Sequence, residues 1–133
     1  MTGLTPAQRA FLEERFVGVV TDLRADGSPH STIVWVDVDD EGVSFNTAHG
    51  RVKTRNIARD PRVSLTVVDP QNAFRWLSVS GVATLVDEGA EGQIDRLATK
   101  YLGEAAYPWR RPGERRVTVR IAVERVDALG LDG

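Results

Sequence analysis

The chain has 133 residues, 17 basic and 19 acidic side chains, a formal net charge of −2 and an isoelectric point near 5.7, so one domain spanning residues 1 to 133 is expected. Near-neutrality argues against a nucleic-acid coat or a basic membrane-binding surface, and no run approaches the roughly 20 apolar residues of a bilayer span. The lack of cysteine removes disulfides, thiolate metal sites and cysteine nucleophiles, so redox work would need a cofactor.

Thr5-Pro6-Ala7-Gln8 predicts a helix start, with Thr5 as N-cap, Pro6 at the first helical position and Gln8 three residues after the cap. A short helix to about Arg15 follows. Arg9, Glu13, Glu14 and Arg15 leave no apolar run there, so no secretory leader is expected and the protein reads as cytoplasmic. Val17, Val19, Thr21 and Leu23 then alternate with Gly18, Val20 and Asp22, and after Ala25-Asp26-Gly27-Ser28-Pro29 the alternation resumes from His30 to Val38, a hairpin on an Asp-Gly turn. Asp39-Asp40-Glu41-Gly42 turns the chain into a third strand, Val43 to Thr47, and a fourth, Val63 to Val68, follows Asp60-Pro61.

A long strand is predicted from Arg75 to Val86, with Leu77, Val79, Ala83 and Leu85 on one face and Trp76, Ser78, Ser80, Val82 and Thr84 on the other; Gly81 marks a bulge or bend. From about Ala90 to Leu102, Ile94, Leu97, Ala98 and Tyr101 recur at helical spacing and should pack on the sheet. The Tyr107–Gly113 loop ends that helix, and a last strand, Arg115 to Val126, alternates Val117, Val119, Ile121 and Val123 with polar residues. Six strands joined mainly by tight turns, with few helices, predict a mainly β fold, an antiparallel barrel.

The segment NTAHGRVKTRNIARDPRVSL, residues 46 to 65, carries the chemistry. Asn46 and Thr47 close a strand, Gly50 permits a turn, and the first turn of a basic helix leaves N–H groups unpaired beside Arg51, Lys53 and Arg55. From the residues alone this is either a phosphate socket or a set of solvated charges on a connecting helix. Two features favour the socket. The helix opens with cations, which its own dipole disfavours, and no acidic residue lies between Glu41 and Asp60 to neutralise them.

Other clusters read as ordinary. His30 and His49 have no carboxylate at ligand spacing and are turn-edge side chains rather than metal ligands. Ser28, His30 and Asp22 read as hairpin chemistry rather than a catalytic triad. Arg110, Arg111, Arg115 and Arg116 are either solvated or meet an acidic substrate or cofactor tail.

Four segments, ADGSPHSTIVWV, RVKTRNIARDPRVSL, FRWLSVSGVATL and RRVTVRIAVERV, stand in that order. Together they resemble, over nearly the whole length, the split β-barrel family of flavin- and deazaflavin-dependent oxidoreductases related to pyridoxamine-phosphate oxidase. The resemblance implies a six-stranded antiparallel split β-barrel of the FMN-binding type with short flanking helices. Arg51-x-Lys53-x-Arg55-Asn56 and Trp76-Leu77-Ser78 resemble the short branch that uses the deazaflavin coenzyme F420 rather than flavin mononucleotide, FMN. Lacking the longer chain of the oxidase proper, this sequence is not expected to act on pyridoxamine phosphate.

The same resemblance implies site residues. Lys53, Arg55 and Asn56, with Arg51 and Thr54, would hold the coenzyme's phosphate and acidic tail. The strand Ser31, Thr32, Ile33, Val34 and Trp35 would lie along the tricyclic ring, and Asn46 and Thr47 would line the ribityl region. The resemblance implies homodimers with two cofactor sites across the interface, so Trp76 and Ser78 would bind cofactor in either their own chain's site or the partner's. Thr32 and Val34 also read as plain strand residues, and Trp35 and Trp76 as core or interface. The implied chemistry is hydride transfer between the deazaflavin and a small organic substrate: an activated alkene, a quinone-like compound or the tetrapyrrole biliverdin. No catalytic side chain is required, and solvent, or a cationic side chain polarising the substrate, is expected ahead of His30, Tyr101 or Tyr107 as the source of the proton. The alternatives are an FMN-binding oxidase or reductase of the same fold and a non-catalytic cofactor-binding protein.

Overall fold

Thr5 caps helix α1 (Pro6–Glu13) reciprocally: its hydroxyl accepts from the Gln8 amide at 3.1 Å, and its own N–H donates to the Gln8 side chain at 2.9 Å. In the computed structural model, which describes residues 3–132, this helix delivers Phe11 and Leu12 to the core. Seven strands follow: β1 (Gly18–Leu23), β2 (Pro29–Val34), β3 (Val36–Asp39), β4 (Gly42–Ala48), β5 (Arg62–Asp69), β6 (Asn72–Val86) and β7 (Arg116–Leu129). Helix α2 (Val52–Arg59) sits between β4 and β5, and α3 (Ala90–Leu102) between β6 and β7.

All pairings are antiparallel, in the order β2-β1-β5-β6-β7-β4-β3. The two edge strands, β2 and β3, are separated in sequence by Trp35 alone, so the sheet has to curl until its edges meet at that residue. The result is a barrel split along one line. Its interior is filled by Val20, Val36, Phe45, Leu65, Leu77 and Val119, all at most 1% exposed, with Phe11 closing one end.

The strand count differs from six because the expected His30–Val38 strand changes partners midway. Val34 pairs with Gly18 of β1, whereas Val36 pairs with Phe45 of β4. At the switch, side chains of α3 replace a strand neighbour. The Val36 N–H donates to the Tyr101 hydroxyl at 3.0 Å, and Lys100 donates to the Val36 carbonyl at 2.7 Å and to that of Leu12 at 2.7 Å.

The irregularity expected at Gly81 lies across from it. Ser80 pairs with Arg125 and Gly81 with Val123, so the extra residue is Glu124 on β7. Glycine is required at 81 because a Cβ there would lie 1.9 Å from the Ala122 carbonyl oxygen. Helix α3 keeps its expected bounds and buries Ile94, Leu97 and Ala98. It covers the outer face of β4 and β7, which is why β4 is buried on both faces from Val43 to Ala48. No helix among the described residues is long and apolar enough to cross a membrane.

Candidate functional site

Strand β4 ends in a turn that uses the left-handed backbone conformation open to glycine. Gly50 takes φ +89°, and Arg51 becomes the N-cap of α2 with no side-chain cap hydrogen bond. The turn is tied internally: the Thr54 hydroxyl donates to the Ala48 carbonyl at 2.7 Å, and Arg55 donates to the Gly50 carbonyl. Beside it opens a cleft of about 160 Å³ lined by Ile33, Val34, Trp35, Asn46, Thr47, Arg51, Lys53, Ile94, Tyr107, Trp109 and Arg116.

Lys53 is 9% exposed, so it is not one of the solvated cations of a connecting helix. Among the described residues it makes no hydrogen bond or ion pair. Burial lowers its pKa first, and Arg51 and Arg116 push the same way, while the buried Asp22 carboxylate opposes them. Thr47 is 1% exposed and its hydroxyl has no hydrogen-bond partner. A largely buried lysine and a buried hydroxyl, both without a partner and both lining one cleft, are groups that an oxyanion would satisfy.

Asn46 behaves differently. Its Nδ2 donates to the Ala90 carbonyl at 2.9 Å and to Gln93 Oε1 at 3.0 Å, and its Oδ1 accepts from Arg116 Nε at 2.9 Å. Gln93 in turn donates to Asp37 and Ser44 and accepts from Thr118. Asn46 therefore forms the wall and aims Arg116 instead of presenting free hydrogen-bonding groups. Arg116 also donates from Nη1 to Glu114 at 3.0 Å and lies over the Tyr107 ring at 5.0 Å. Glu114 sits 3.6 Å from Arg51, so one carboxylate bridges the two arginines.

The opposite wall is aromatic. Trp35 stacks on Tyr101, centroids 5.4 Å apart and planes 6° apart, and meets Tyr107 edge-on at 6.0 Å and Trp109 at 6.2 Å. Trp109 and Ile33 remain 58% and 62% exposed, so the cleft is open on that side.

Seven of the residues expected from the sequence thus share one cleft: Ile33, Val34, Trp35, Asn46, Thr47, Arg51 and Lys53. The others lie outside its lining. Ser31 is exposed and hydrogen-bonded to Thr21 at 2.9 Å, while Thr32 keeps a buried hydroxyl without a partner. Thr54 and Arg55 tie the turn as described. Asn56 donates to the fully buried Asp22 at 2.8 Å and accepts from Arg59 at 2.9 Å; His30 contacts the same Asp22 oxygen at 3.0 Å. Ser28 takes no part in that network, because its hydroxyl donates to Asp26 at 2.6 Å.

Trp76 and Ser78 are half-buried on the outer face of β6. Ile33, Val19, Thr66 and Ser78 form one row across four paired strands. Ser78 is therefore about 14 Å from Ile33, three strand spacings away.

Two lining residues, Ile94 and Trp109, went unread as site residues in the sequence, while Tyr107 was weighed only as a proton donor and Arg116 was left open between a solvated charge and a ligand contact. Arg110 pairs with Glu91 and Asp95, and Arg115 lies 3.8 Å from Asp87, which leaves Arg116 as the member of that basic group that lines the cleft. A signal was present. Arg116 and Thr118 alternate with the core residues Val117 and Val119 yet are themselves buried, under Gln93 of α3.

Comparison with known proteins gives a consistent picture. The family model described as Pyridoxamine 5′-phosphate oxidase matches residues 4–130. The F420H(2)-dependent biliverdin reductase of Mycobacterium tuberculosis (strain CDC 1551 / Oshkosh) is 34% identical over 128 residues, which cover 94% of this chain and 88% of that protein. A solved structure named F420 Reductase matches with a TM-score of 0.79 at 25% identity, over 93% of this chain and 98% of that one. A conserved hypothetical protein of Mycobacterium tuberculosis matches with a TM-score of 0.75 at 26% identity, over 96% and 85% of the two chains.

Proposed function

This chain belongs to the pyridoxamine 5′-phosphate oxidase family of split β-barrels, and on that premise we propose that it is an F420-dependent reductase acting on a small conjugated organic acceptor. The observation that carries the reading is Lys53 in the cleft lining beside Arg51: a largely buried lysine without a hydrogen-bond or ion-pair partner, in the same lining as Thr47, whose buried hydroxyl also has none. They suit a phosphate oxygen. The names of the 34%-identical relative and of the F420 reductase neighbour support the deazaflavin over FMN, whose phosphate the same groups would also accept.

When bound, the reduced deazaflavin supplies a hydride. The protein's own part is binding and orientation. Lys53, Arg51 and Thr47 hold the phosphate. Ile33, Val34 and Trp35 form an apolar floor for a flat ring, and Tyr107 and Trp109 offer faces against which a planar acceptor can lie. Tyr101 is no proton donor, since burial pushes its pKa up to about 12 and its hydroxyl donates to the Phe16 carbonyl at 2.8 Å. His30 is held by Asp22 outside the cleft. The proton comes from solvent through the open side.

The working form is a homodimer. Ile33, Val19 and Val68 are exposed on the outer face of the sheet that also carries Trp76 and Ser78. A second copy packed on that face would cover them, and it would bring its Trp76 and Ser78 toward this cleft, which they cannot reach within one chain. The test of the activity is anaerobic mixing with reduced F420 and, separately, a quinone and biliverdin, following the return of the oxidised deazaflavin's absorbance. Protein-dependent oxidation with one acceptor supports the reductase. Tight binding without oxidation by either supports a cofactor carrier.

A further inference from the structure

We infer that Asp22, which lies outside the cleft lining, is a positioning residue for anion binding: its buried carboxylate is the counter-charge that keeps Lys53 an ammonium, ready for an oxyanion. The inference rests on the reading of Lys53 as an anion ligand. Asp22 is 0% exposed, on the inner face of β1 two residues from the core residue Val20. Its Oδ1 takes both of its hydrogen-bonding contacts, with Asn56 at 2.8 Å and His30 at 3.0 Å, while Oδ2 is buried without a partner. A carboxylate so placed is unfavourable to bury unless a cation nearby compensates.

The fold brings Lys53 to that carboxylate. Lys53 and Asn56 are three residues apart on the buried face of α2, and the Asn56 hydrogen bond seats that face on Asp22. On β2, His30 lies across from Asp22 and Thr32 across from Val20, and the next residue on the same face, Val34, lines the cleft with Lys53. Burial works against a charge on Lys53, as do Arg51 and Arg116, and Asp22 is the group that favours it. Glu114 is already engaged by Arg51 and Arg116, and Arg55 and Arg59 are spent on the Gly50 and Leu23 carbonyls. A neutral Lys53 would lose its charge-assisted bond to a phosphate, so a carboxylate that no ligand touches sets the affinity of the site.

Lys53 and Lys100 are the two lysines of the chain, so NMR of the protein carrying isotope-labelled lysine follows each one, with Lys100→Met to assign the signals. Without any ligand, Asp22→Asn should lower the Lys53 titration midpoint by about half a pH unit or more and leave that of Lys100 in place. The asparagine carbonyl oxygen can keep the contacts of Oδ1 with Asn56 and His30. Asp22→Thr, a β-branched replacement suited to a strand, gives the same reading if the amide does not fold. An unmoved Lys53 midpoint in a folded variant overturns the inference, whether or not F420 binds.

Calorimetric titration with inorganic pyrophosphate carries the effect to the cleft. A carboxylate by itself repels an anion, so at neutral pH Asp22→Asn should bind pyrophosphate at least as tightly as the wild type. As pH rises, its affinity should fall away earlier than that of the wild type, by the same interval as the NMR midpoint. Equal weakening at every pH would make Asp22 merely structural, and tightening at every pH merely repulsive; either contradicts the positioning role. Absence of pyrophosphate binding by the wild type, with the NMR midpoint moved, would contradict the cleft reading and the anion role with it, while leaving Asp22 as the counter-charge of Lys53.

Discussion

Arg116 donates from Nε to Oδ1 of Asn46 at 2.9 Å, joining two side chains that emerge from neighbouring strands on the face beneath α3. Asn46 has both donors and its acceptor engaged there, so its first role is to build the site. Asn46→Ala leaves the Ala90 carbonyl, Gln93 and Arg116 short of partners in a buried region. The expected loss is about 2–4 kcal/mol of stability, read as a lower urea midpoint with an unchanged slope.

Lys53 and Arg55 lie two residues apart on one short helix and should behave differently. Lys53→Ala removes a cation held in the cleft by burial rather than by partners, so F420 affinity should fall tenfold or more while stability holds or rises. Arg55 is exposed and bonded to its own turn, and Arg55→Ala should change affinity by less than threefold. Fluorescence titration of the two single variants checks both statements.

Much of this was legible before any coordinates. The Thr5/Gln8 capping box, the Asp-Gly hairpin, the bounds of α3 and the inward face of β6 each rest on local rules that tertiary context did not override. The break at Trp35 was not legible, because Val34 and Val36 keep the strand period of two while changing partners, and period alone does not reveal which strand lies alongside. Four of the eleven lining residues, Asn46, Thr47, Arg51 and Lys53, came from the segment around Lys53, and Ile33, Val34 and Trp35 from the strand before it. Trp109 was missed, and Tyr107 and Arg116 were not fixed as lining residues, for a related reason: they reach the cleft through a loop and through a strand face covered by a helix, and neither feature leaves a periodic trace.

Gly81 faces the Ala122 carbonyl at a distance that leaves no room for a methyl group. Gly81→Ala should cost about 3 kcal/mol or more, since the obstacle is backbone rather than a movable side chain. Gly18→Ala, where the nearest atom is the Leu65 Cδ1 at 2.7 Å, should be the milder of the two. Comparison of their thermal midpoints decides the matter.

Stability should depend on pH through Lys100 and Tyr101 in opposite senses. Burial lowers the Lys100 pKa from 10.5 to about 8. Between those values the unfolded chain binds more protons than the native one, so this residue makes stability rise with pH. Tyr101 is raised from 10.0 to about 12, chiefly by burial; above pH 10 the native state retains a proton that the unfolded chain releases, and stability falls. Lys53, also lowered by burial, adds to the rise. Unfolding free energies measured from pH 7 to 11 should therefore increase before they decrease, and the rise should be smaller in Lys100→Met. A rise of equal size in that variant would remove Lys100 as its origin.

Whether the cleft holds the deazaflavin is decided by equilibrium titration of the purified protein with F420 and, separately, with FMN, following the fluorescence of Trp35 and Trp109, which line it. F420 should quench saturably at low micromolar concentration or below, FMN should bind more weakly, and the F420 signal should be lost in Lys53→Ala. Tighter binding of FMN would place the protein with the flavin-dependent members of its family, and binding of neither ligand would contradict the assignment of the cleft.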